Sequence, residues 1–403
     1  MSGTTRASEA GFQLAILAAA MVFGMMPWFA ASVSSAAMAA EWRASPSFQS
    51  WLTIAVQLGF VAGTLLSAVL MLSDRWSTRR LAGASAALAA LFTALLAAPG
   101  GSPERGIALR ALTGMALAGV YPPGMKIAAG WWKERRGMAI GVLVGALTIG
   151  SASPNLVRAI VPLEAWRVIL LIASLGSAIA AALFIVAIRP GPYEAPSQPF
   201  DVHGISAVVS NRGVRLATGG YLGHMWELYA MWTAMAAFWA YIGGERSLPP
   251  YAAPTLAFLS IAMGAPGCVV AGILADRWGR ATITIVSMAL SGACCLWIGG
   301  LVHGPLALLA AVSLLWGLTV VADSAQFSAC VTELAPPRYI GTALTLQTCL
   351  GFLLTMVTIR LVPVWVSQWG WDRAFAPLAI GPALGILAMR KLRAGGTAPE
   401  GYH

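Results

Sequence analysis

Glu227 and Asp323 are carboxylates set inside otherwise apolar stretches, GHMWELYAMW and VADSAQFS. His224 precedes Glu227 by about one helical turn and Gln326 follows Asp323 at the same spacing, so each acid has a polar neighbour on its own helix face. An acid in such surroundings can lose its charge in place by taking up a proton, which is the chemistry of ion coupling. The bland alternative is a buried polar pair bonded to nearby hydroxyls, with His224 merely satisfying Glu227. Arg110, in RALTG, poses the same question with the opposite sign: it faces a partner or an aqueous cavity, or it reaches the interface from near a helix end. Tyr121, eleven residues on, falls on nearly the same helical face. Arg158 and Arg360 stand near the ends of two further apolar stretches, where they either make a positive vestibule that attracts anions or anchor the interface.

The elements that must position these residues follow from composition. Of 403 residues 58% are hydrophobic and only 10% charged, against about 25% charged in soluble domains. So few charges cannot cover a soluble surface of this size, and the solvent is lipid. Apolar segments of about 20 to 27 residues match helices crossing a core of about 30 Å. Leu81 to Ala98 and Leu306 to Val321 are apolar on every face, which excludes the alternating strands of an outer-membrane barrel. The expected class is an all-α integral membrane protein of twelve spans, at about 12–38, 48–72, 81–99, 106–131, 137–161, 168–188, 214–242, 254–274, 282–302, 306–331, 340–365 and 374–390. Ala37-Met38-Ala39 imitates a signal-peptidase site, but the apolar run before it is too long for a cleaved signal, so it counts as the first span.

Alternate connections collect sixteen lysines and arginines on one side against five on the other. The positive-inside rule then places both termini in the cytoplasm of a multi-pass protein of the inner (cytoplasmic) membrane. Residues 189–213, with Pro190, Pro192, Pro196 and Pro199, read as a cytoplasmic linker between two bundles, 1–188 and 214–403. Phe200 to Ser210 within it suit a short surface helix or a plain loop equally. Asp74-Arg75-Trp76 recurs as Asp276-Arg277-Trp278, Arg158 to Pro162 as Arg360 to Pro363, and Trp166-Arg167 as Trp371-Asp372-Arg373. Three matches at nearly one offset, each between equivalent spans, point to duplication of a six-helix unit.

The net charge of +10 is spread in small groups and forms no nucleic-acid stripe. All five cysteines (Cys268, Cys294, Cys295, Cys330, Cys349) lie in apolar segments without metal-ligand spacing, so neither metal nor cofactor is expected. No nucleophile–base set, H-x-x-x-H or phosphate-binding loop is visible, which argues against an enzyme and against nucleotide-driven transport.

GILADRWGR, Gly272 to Arg280, is similar to the cytoplasmic loop signature of the major facilitator superfamily, GxLaDrxGrk. Its earlier copy LMLSDRWSTRR keeps Asp74, Arg75 and the basic end but has Leu70 and Ser77 in place of glycines. Arg110 to Gly114 resembles the same superfamily's RxxqG motif, with threonine for glutamine. The resemblance implies two pseudo-symmetric six-helix bundles and secondary-active transport by alternating access. It also implies a gating role for Asp74, Arg75, Gly272, Asp276, Arg277, Gly279 and Arg280, and a substrate site between the halves, for which the intramembrane residues Arg110, Tyr121, His224, Glu227, Asp323 and Gln326 are the candidates for substrate binding or coupling. Gly145-Ala146 and Gly150-Ser151 depart from the antiporter signature of span five; Gly137, Gly141 and Gly145 there read as a smooth packing face. GVYPPGMKIAAGWWKERRGMAIG looks like the corresponding part of monocarboxylate and oxalate/formate-type carriers. A monomer that moves a small organic anion with protons is therefore expected, with proton-driven efflux of hydrophobic or cationic compounds as the alternative.

Overall fold

A computed structural model describes residues 3–45, 47–132, 136–193 and 200–395, without the side chains of residues 3–7, 73, 74 and 136. The side chain of Asp74, the basic positions Lys133 and Arg135, and linker positions 194–199 with Pro196 and Pro199 thus lie outside the described residues.

The described residues are helical, with no strand among them. Ten helical stretches are long and apolar enough to cross a membrane, from Ser8–Val33 to Trp371–Ala394. Two further segments complete a pattern consistent with the expected twelve. Span four consists of two shorter helices, Pro103–Leu117 and Tyr121–Trp131. Span seven is one helix of 34 residues, Arg212–Glu245, whose Gly, Trp, Tyr and His residues hold its hydropathy down. These two segments carry Arg110, His224 and Glu227. Within the expected linker, Ile205–Ser210 forms a short helix after a turn at Val202–Gly204.

The chain divides into two compact units, Met1–Ser197 and Gln198–His403. In the first, spans two (Phe48–Val69) and four lie almost backbone to backbone. A methyl group at Gly114 would stand 2.0 Å from the Val56 carbonyl oxygen, so only glycine allows the approach. The second unit repeats the device between spans eight (Ala252–Trp278) and ten (Leu306–Leu334), where a methyl at Gly317 would stand 1.6 Å from the Ser260 oxygen. Gly114 and Gly317 are 203 positions apart, close to the offset of the loop repeat.

The duplication extends to defects. Span four breaks at 118–120, where Gly119 and Val120 donate to Ala116 and Leu117, three residues back. Span ten breaks at 321–323 in the same way, with Ser324 donating to Val321 and Gln326 to Asp323. Such tightened turns release carbonyls from the four-residue ladder and mark sites of strain or function. Asp323 occupies this break and precedes the helix Ser324–Leu334, yet its side chain forms no cap hydrogen bond there. Span one breaks too, at Met26 before Pro27, whose ring removes an amide donor.

Candidate functional site

In the first unit Arg110 is 1% exposed. Its Nε donates to the Leu52 carbonyl (3.3 Å) and its Nη1 to the Pro27 carbonyl (2.8 Å), while Nη2 donates to the Trp28 carbonyl. Span four is thereby tied to span two and to the broken part of span one. No carboxylate is bonded to it among the described residues, so a full positive charge is held by neutral dipoles alone. Tyr121 begins the helix after the break and is half-buried. The helical register that would align it with Arg110 does not run through residues 118–120. Arg158 donates to the Val161 carbonyl at 3.1 Å, a contact with its own helix end, and Arg360 is exposed.

In the second unit Glu227 is 1% exposed and accepts three hydrogen bonds. Ser291 Oγ donates to Oε2 at 2.9 Å, Cys295 Sγ to Oε1 at 3.1 Å, and Trp316 Nε1 also to Oε1. Ser291 and Cys295 are one turn apart on span nine (Arg280–Trp297), and Trp316 is on span ten. Glu227 is therefore the knot joining spans seven, nine and ten. Sequence reading missed these three partners, because polar atoms of Ser, Cys and Trp are common in apolar helices and carry no spacing signal.

His224 and Asp323 are arranged differently. Nδ1 of His224 lies 2.9 Å from Oδ1 of Asp323, with the two side chains 2% and 1% exposed. The contact lacks hydrogen-bond alignment, and Oδ1 of Asp323 and Nε2 of His224 have no hydrogen-bond partner among the described residues. Tyr221 and Phe327 wall the imidazole, with ring centroids at 6.1 and 5.5 Å. The nearby Cys268 Sγ donates to the Val321 carbonyl at 3.4 Å. An acid, an imidazole and two unused polar atoms in a buried place can take up or release a proton with small movements.

Gln326, expected beside Asp323, is instead engaged by Arg280, whose Nη1 donates to Oε1 at 2.9 Å. Arg280 also pairs with Glu333 at 2.7 Å, so the end of the loop repeat is fastened to the lower half of span ten. Gly279 adopts φ +80, a conformation that favours glycine, and Gly272 is buried. Asp276 and Arg277 are exposed, as is Arg75 in the first copy, and Asp276 makes no ion pair among the described residues.

Two buried amides were not singled out from the sequence, although each interrupts an apolar run. Gln57 on span two is 0% exposed and Gln347 on span eleven (Ile340–Trp369) is 1% exposed. Neither amide has a hydrogen-bond partner among the described residues.

Duplicated helical units with ionisable groups buried in their spans define a multi-pass solute carrier. The family model for the Major Facilitator Superfamily matches residues 14–359, and the chain belongs to that superfamily. Among solved structures it is similar to one titled "Crystal structure of nucleoside transporter NupG (D323A mutant)". The TM-score is 0.68 at 15% identity, covering 95% of this chain and 99% of that chain, a likeness that shows the fold. No curated protein matches. The protein is a transporter and not an enzyme.

Proposed function

We propose that this transporter couples the movement of a small organic anion to protons, with the His224–Asp323 pair as the proton site. The observation that carries the proposal is the buried contact of 2.9 Å in which each partner keeps an unsatisfied atom. Glu227, by contrast, has three donors and the role of a structural anchor. The anion is supported by Arg110, a buried charge that among the described residues is met by carbonyls alone and so gives the first unit a positive potential. The efflux alternative draws on one observation, the two buried carboxylates of the second unit. The charge asymmetry of the connections supports an inner-membrane protein with both termini cytoplasmic, and a monomer suffices for a chain that carries both six-helix units.

The loop residues Asp74, Arg75, Gly272, Asp276, Arg277, Gly279 and Arg280 belong to gating in this reading. The Arg280–Glu333 pair supports it, since it ties the end of the loop to span ten, so that making or breaking one contact bears on both. The decisive experiment is flux of labelled carboxylates and of a lipophilic cation into proteoliposomes, with and without a pH gradient. Carboxylate accumulation that follows the gradient in wild type and is lost in Asp323→Asn is the expected result. Cation movement alone favours efflux, and flux indifferent to the gradient removes proton coupling.

A further inference from the structure

Gln57 is fully buried, with both amide atoms unpartnered among the described residues, and a primary amide brings two donors and two acceptor lone pairs with it. A leucine would fill the space without that penalty, so the amide needs a partner that comes and goes. Two contacts locate it on the seam between spans one and two. Thr53, one turn before it, bonds Ser32 at 2.7 Å, and Phe60, three residues after it, packs edge-on against Trp28 at 5.0 Å. Residues 53, 57 and 60 share one helix face, so Gln57 stands between a hydroxyl pair and an aromatic pair. Arg110 bonds carbonyls of these same two spans, and its guanidinium is engaged there.

We propose that Gln57 is a solute-recognition residue that reads an edge carrying a hydrogen-bond donor beside an acceptor. The assignment rests on the transport reading above and narrows its substrate class. The amide Nε2 donates to an oxygen of the solute while Oε1 accepts from the adjacent O–H or N–H, a bidentate geometry that an arginine cannot supply. A 2-hydroxycarboxylate has such an edge, and so does a cyclic imide. A plain carboxylate has only acceptors.

The test compares uptake of lactate with propionate, and of uridine with 3-methyluridine, in proteoliposomes of wild type, Gln57→Leu and Gln57→Glu. Wild type should favour the donor-bearing member of a pair by about tenfold or more in KM, and Gln57→Leu should erase that preference, bringing both members of the pair to a similar, weaker KM. Gln57→Glu should lose the preference where its carboxyl is ionised and regain it at the acid end of a pH series, where a protonated carboxyl again offers donor and acceptor. Preference in the lactate pair supports both this assignment and the organic-anion reading. Preference confined to the uridine pair keeps the role of Gln57 and overturns the anion. Wild type indifferent within both pairs, Gln57→Leu that keeps its preference, or equal loss for all four solutes at every pH in both variants overturns the assignment.

Discussion

Arg110 in the first unit and Asp323 in the second are each 1% exposed, yet the cation is bonded to three carbonyls while the acid keeps an oxygen without a hydrogen bond. Both stand on corresponding spans, four and ten, and each span is broken at the same place in the repeat. Burial alone therefore does not separate a structural charge from a working one. What separates them is saturation atom by atom: a polar atom already bonded within its own fold has less to exchange than one without a hydrogen bond. By that criterion Glu227 belongs with Arg110, and His224 with Asp323.

The largest effect should come from Arg110→Met. It leaves the carbonyls of Leu52, Pro27 and Trp28 without their donor and unties spans one, two and four. Losing three charge-assisted bonds of about 1.5 to 3 kcal/mol each takes a large part of the roughly 5 to 15 kcal/mol that holds a typical fold. The expected result is a protein that aggregates or elutes heterogeneously in mild detergent. A monodisperse variant of wild-type melting temperature would break the comparison from its structural side.

Asp323→Asn should do the opposite, leaving the melting temperature nearly unchanged and abolishing coupling. One proton moved per solute is worth about 1.36 kcal/mol per pH unit, or tenfold accumulation. The variant should equilibrate its solute at every imposed gradient. Gradient-driven accumulation equal to wild type would move the proton site elsewhere.

Much of this architecture is legible in the sequence. Spans two and eleven were expected at 48–72 and 340–365 and are found at Phe48–Val69 and Ile340–Trp369, because long apolar runs admit one reading in lipid. The breaks were not foreseen. At 118–120 the following Pro122-Pro123 was a usable signal, but at 321–323 the residues are Val, Ala and Asp, and the turn comes from tertiary packing. Arg110, His224, Glu227 and Asp323 are legible in the sequence, since intramembrane charge is rare enough to be seen. Which were saturated was invisible, because the partners are backbone carbonyls and scattered Ser, Cys and Trp atoms from other spans. Gln326 illustrates the limit: one turn from Asp323 by spacing, it is held by Arg280 from span nine.

Glu227→Gln sharpens the contrast with a smaller effect. The amide keeps the shape but replaces an acceptor-only group with one that must also donate, against Ser291, Cys295 and Trp316, which all donate. A loss on the order of 1 to 3 kcal/mol is expected, read as a lowered melting temperature with gradient-driven accumulation retained. Loss of accumulation at unchanged stability would place Glu227 beside Asp323 as a working acid.

The smallest effect tests the same rule outside the spans, where water competes. Glu41, at the end of the helix Ser35–Glu41, accepts two hydrogen bonds from Arg167, at Oε2 over 2.8 Å and also at Oε1, and one from Trp166 Nε1 at 3.0 Å. The Arg167 hydrogen bond, aided by that of Trp166, holds its carboxyl below the ordinary carboxylate value. A lowered folded-state value means that the stabilisation is present above the unfolded value and is lost as pH falls through the folded one. With side-chain exposures of 41% for Glu41 and 33% for Arg167, solvent screening limits the contribution to under about 1 kcal/mol. Glu41→Gln should therefore lower the melting temperature slightly at pH 7 and in low salt, and the difference from wild type should shrink as pH falls below the ordinary carboxylate value and vanish below the folded one. A difference that persists unchanged in acid would show that the carboxylate charge contributes nothing there. The clasp of Glu41, Trp166 and Arg167 would then act through shape alone.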